Sequence, residues 1–137
     1  MDRRIIINIM GEQTVAGEVN RTEFVTVGRY SEENGVKRLE YDESALLGVE
    51  GSVTSIEVKG DTVSLMRSGS TTTHMIMRRG EKCLNQYETP LGKVEMGVYP
   101  LQVKCDMNHE KGMLDLKYQL DVAGSFASLN QLKVSYS

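Results

Sequence analysis

Tryptophan is absent from the sequence, and aromatic residues fill only 6% of its 137 positions, too few to build a binding site on ring stacking. No run approaches the roughly 20 apolar residues of a membrane-spanning helix. Ile5-Ile6-Ile7 is broken at once by Asn8, so it makes no signal-peptide core either. A cytoplasmic protein without a membrane partner is the expectation. Cysteine is scarce: Cys83 and Cys105 stand alone, outside any C-x-x-C pair, and only His109 lies near either. That pattern predicts two small buried hydrophobes and no metal site. Neither sign of charge dominates, since 16 Lys and Arg face 19 Asp and Glu for a net charge of -3. Basic residues come in short pairs such as Arg3-Arg4 and Arg78-Arg79, not in the stripe that a nucleic-acid partner needs. Nucleophile elbows, H-E-x-x-H, phosphate loops and dinucleotide fingerprints are all missing, and His74 and His109 have no nucleophile beside them. The sequence therefore offers no catalytic residue and implies no cofactor.

What the chain does contain is punctuation. Hydrophobic residues at 39% and charged residues at 26% describe an ordinary globular protein, and the length suits one domain over residues 1–137. Turn signals recur along it: Gly17 to Asn20, Asn34-Gly35, Gly60-Asp61, Ser68-Gly69-Ser70, Thr89-Pro90-Leu91-Gly92, Asn108 to Gly112 and Ala123-Gly124-Ser125. Asn34-Gly35 is the strongest, because this pair favours the turn whose twist suits two antiparallel strands. Between the turns the residues alternate. Leu39, Tyr41 and Glu43 oppose Arg38, Glu40 and Asp42; Val94, Met96 and Val98 share a face; Leu114, Leu116, Tyr118, Leu120 and Val122 make the clearest strand. Past Tyr99-Pro100 the parity changes to Leu101, Val103 and Cys105, as a one-residue bulge would produce. Residues 45–51 lack a period of two and read as an apolar flap. No stretch has a helical period. Sequential hairpins without a long crossover predict an all-β, single antiparallel up-and-down barrel of 8–10 strands, since closure removes exposed edges.

Scattered positions also carry a resemblance: Tyr41 and Glu43, Gly48, Gly51 and Thr54, Arg67-Ser68-Gly69 with Met75, the Tyr87-x-Thr89-Pro90-x-Gly92 turn, Met96-Gly97, and the hairpin from Leu114 to Val134. Through them the chain resembles the YwiB-like family of small bacterial proteins, a domain of unknown function with a calycin-like barrel. The resemblance implies a lipocalin-like fold and no activity, so it transfers no catalytic residue.

If apolar parity marks the interior, Tyr41 and Glu43, Arg67 (with Val63 and Leu65) and Tyr118 point inward, and Met75, Met77 and Met96 supply pliable walls. Buried charges need partners, which suggests a Glu43–Arg67 pair near one mouth. Such a pair is either a structural plug or the polar anchor of a ligand site. The sequence thus favours a barrel that binds a small amphiphilic or acidic ligand through Arg67, Glu43, Tyr41, Tyr118, Met75 and Met96. The alternative is a non-catalytic, homodimerising interaction module with a packed interior, presenting an edge strand near Pro100 or the 45–51 patch.

Overall fold

The computed structural model describes residues 2–42, 52–68, 73–89 and 92–137, apart from the side chains of residues 73 and 86–89. Ten strands follow one another: β1 (Asp2–Val15), β2 (Glu18–Glu33), β3 (Val36–Asp42), β4 (Val53–Lys59), β5 (Thr62–Ser68), β6 (Thr73–Arg78), β7 (Cys83–Thr89), β8 (Gly92–Met107), β9 (Gly112–Val122) and β10 (Ser125–Tyr136). All pairings are antiparallel and make one sheet in the order β6-β5-β4-β3-β2-β1-β10-β9-β8-β7. The sheet curls until β6 packs beside β7 and β8, giving a nearly closed barrel. Among the described residues, the backbone bridge at that seam is the isolated one between Arg78 and Glu81. Among the described residues no helix is long and apolar enough to cross a membrane.

Alternation decides what is buried. Ile5, Ile7 and Ile9 are enclosed, while Ile6 between them is 53% exposed. Leu39, Ile56, Val63, Met77, Val98, Leu114, Leu116 and Val134 complete the enclosed core. The bulge lies where the parity change places it: Pro100 faces Tyr118, Gln102 faces Lys117, and Leu101 is left over, turned to solvent. Two readings need correction. The first hairpin turns at Ala16-Gly17 rather than over Gly17 to Asn20, so β2 starts at Glu18 and Val19 pairs with Thr14. Cys105 is exposed, not a buried hydrophobe, because β7 pairs with β8 only as far as Val98 and leaves the 101–107 edge uncovered. Residues 45–51, Pro90, Leu91 and most of the Ser68-Gly69-Ser70 turn lie outside the described residues.

That uncovered edge belongs to an end closed by long side chains. Lys37 Nζ donates to the carbonyl oxygen of Met107 at 2.6 Å, the Arg79 guanidinium donates to that of Val103, and Arg3 Nη1 donates to His109 and Glu110 at 2.8 and 2.6 Å. Tyr136 donates its hydroxyl to Asn108 at 2.6 Å and stacks on Tyr30 at 5.6 Å between ring centroids. Cations on edge carbonyls satisfy the acceptors that a neighbouring strand would otherwise take.

Candidate functional site

The opposite end holds the candidate site. Inner-facing positions that are apolar in mid-barrel become polar at the strand ends there, and a cavity of about 390 Å³ lies among them. Its floor is made by Ile9, Phe24, Leu65, Met75 and Leu132. Phe24 meets Tyr41 edge-on, ring centroids 6.4 Å apart, which fixes the Tyr41 ring beneath the rim. At roughly 30 Å³ per water-sized group, the space suits a molecule of about a dozen non-hydrogen atoms.

Two rows of inner-facing polar side chains stand above this floor. On one wall Tyr41, Thr54 and Arg67 are register partners across β3, β4 and β5. Arg67 Nε lies 3.5 Å from Thr54 Oγ1, a long contact that sets the guanidinium at the rim. On the other wall Asn20, Gln13, Asn130 and Tyr118 are register partners across β2, β1, β10 and β9. Asn130 Nδ2 donates to Ser128 Oγ at 2.9 Å. The Tyr118 phenol belongs to both walls: burial raises its pKa, and the positive charge of Arg67 pulls the other way. It therefore stays protonated at neutral pH, able to donate a hydrogen bond close to a cation. Glu12 is the one acidic residue among the described lining, and it is register-paired with Arg21.

Of the residues singled out in the sequence, Arg67, Tyr41, Tyr118 and Met75 meet at this cavity. Met96 is buried but does not line it. Glu43 lies outside the described residues, and with it the proposed Glu43–Arg67 pair. Gln13, Asn20 and Asn130 were missed for one reason: apolar parity identifies an interior by its hydrophobic residues and is blind to polar ones at strand ends. Asn20 was hidden further by reading it as part of a turn. Continuing the Ile5, Ile7, Ile9 rhythm through Gly11 to Gln13 finds the second wall. Among the described residues no three His, Cys, Asp or Glu side chains are grouped to hold a metal ion.

Comparison with known proteins agrees with the barrel fold and adds no chemistry. A family profile described as "Domain of unknown function (DUF1934)" matches residues 7–134. The chain is 25% identical over 114 residues to the uncharacterized β-barrel protein YwiB of Bacillus subtilis (strain 168), covering 83% of this chain and 79% of that protein. The crystal structure of the ywiB protein from Bacillus subtilis superposes with a TM-score of 0.84 at 21% identity, over 99% of this chain and 92% of that one. At that identity the likeness concerns the fold.

Proposed function

We propose, for a chain that belongs to the DUF1934 family, that the barrel binds a small acidic amphiphile in the cavity beside Arg67. The supporting observation is the cavity of about 390 Å³ with Arg67 at its rim and an apolar floor below. Concave, mostly apolar space with a few convergent polar groups is the usual character of small-molecule sites. Arg67 anchors a carboxylate or phosphate, because a guanidinium offers a fork of donors to a planar or tetrahedral anion. Tyr118 supplies one more donor to the same anion, Tyr41 and Thr54 hold the wall that carries Arg67, and Met75 adapts to the tail. Space at this end is what distinguishes this reading from an interaction module with a filled interior.

Thermal unfolding with a graded series of alkanoates tests the proposal. A ligand at 100 times its dissociation constant adds about 2.7 kcal/mol, which raises the midpoint on the order of 10 °C for a chain of this size. Arg67→Ala is expected to abolish the rise without lowering the midpoint of the free protein by a comparable amount. No rise with any member of the series, or an equal rise in the variant, counts against Arg67 as anchor.

A further inference from the structure

One wall of the cavity is neutral, and nothing in an alkyl carboxylate answers it. Asn20, Gln13 and Asn130 follow one another on the inner face of β2, β1 and β10, and all three line the cavity. Register partners on adjacent strands place their side chains about 5 Å apart, so the three amides form a short ladder. In the strand order β5 is second and β10 is seventh, five places apart in a ring of ten. Asn130 therefore stands across the mouth from Arg67. One amide proton of Asn130 is directed to Ser128, which orients its remaining polar atoms.

Each amide side chain offers both a donor and an acceptor. A bare hydrocarbon laid along the ladder would strip its water and return no hydrogen bond, which is costly for any amide. A peptide group carries both an acceptor and a donor, so it can return the hydrogen bonds that a hydrocarbon cannot. Resting on the reading of this cavity as an anion-anchoring site, we propose that its ligand is a short acyl chain joined through an amide to a carboxylate, the N-acyl amino acid class. The carboxylate meets Arg67 and Tyr118, the amide meets the ladder, and the acyl chain lies on the apolar floor.

Calorimetric titration with N-hexanoylglycine and with decanoate tests this, since the two carry one carboxylate each and equal numbers of non-hydrogen atoms. N-hexanoylglycine is expected to bind at least tenfold more tightly to the native protein. In Gln13→Met, which keeps the length and shape of the side chain, that preference is expected to shrink several-fold. Asn20→Leu provides the same test on the neighbouring strand. Equal affinity of the native protein for both probes, with binding still lost in Arg67→Ala, overturns the amide assignment and leaves the anion site standing. Failure of both probes to bind overturns both.

Discussion

Gly11 and Gly28 both lie on the inner face of the barrel, yet a methyl group meets different surroundings at each. At Gly28 an added Cβ would come within 2.5 Å of the Glu40 carbonyl oxygen and press on the Ile7 side chain, whereas at Gly11 it would meet nothing within 4 Å. The obstacle at Gly28 is backbone, which cannot turn aside. Gly28→Ala is expected to cost about 1–3 kcal/mol, and Gly11→Ala to gain about 0.5–1 kcal/mol from the lower flexibility of the unfolded chain. Urea midpoints of the two variants decide the matter, and a similar loss in both would mean that the space beside Gly11 is not open. Tyr30, fully enclosed, makes a second prediction. Burial first, then the hydrogen bond to Glu32 and its negative charge, raise the phenol to about 12. The folded pKa exceeds the unfolded value of about 10, so this contribution is complete below pH 10 and is lost as the pH climbs toward 12. Burial pushes the stacked Tyr136 in the same direction. Stability is expected to fall more steeply between pH 10 and 12 in the native protein than in Tyr30→Phe, as measured by urea unfolding at each pH. These environments were not legible in the sequence, because Phe24, Val25 and Val27 leave the inner face of β2 undecided, and the structure turns Val25 and Val27 outward and Tyr30 inward.

Three hairpins share one turn. Ala16-Gly17, Asn34-Gly35 and Ala123-Gly124 have φ values of 51° and 82°, 52° and 79°, and 51° and 84°. Both central residues of this turn sit at positive φ, which glycine tolerates, asparagine accepts and alanine resists. Asn34 announces its hairpin in the sequence, whereas Ala16 does not, which is why the first turn was read too far along the chain. Ala16→Asn and Ala123→Asn are each expected to stabilise the protein by roughly 0.5–1 kcal/mol, and Asn34→Ala to destabilise it by a similar amount. Equal midpoints across the set would show that the turns relax at no cost. The bulge in β8 was legible for the opposite reason: a proline and a change of parity coincide there, and both follow from local covalent structure.

Around the barrel, the ladder of hydrogen bonds runs from β6 through the terminal strands to β7, and its ends face each other across a seam with one bridge among the described residues. Amides of β6 that face the seam are expected to exchange with solvent faster than those of β1, which is paired with β2 and β10 on its two sides. Equal protection in β6 and β1, measured by hydrogen exchange, would mean that the ring is closed by hydrogen bonds at this point as well. The family likeness and the fold reach the sequence through patterns repeated along the whole chain, so they tolerate a misplaced turn. A rhythm of 8–10 strands, the inward faces of Tyr41, Arg67, Tyr118 and Met75, and the bulge after Pro100 can all be read along the chain, because strand alternation and turn chemistry are local properties of the backbone. That the gap falls between β6 and β7, that Arg3, Lys37 and Arg79 reach across one end, and that a row of amides faces Arg67 across the other emerge only from the folded sheet. Those depend on the curvature of the sheet, which brings together strands that no neighbouring residues connect.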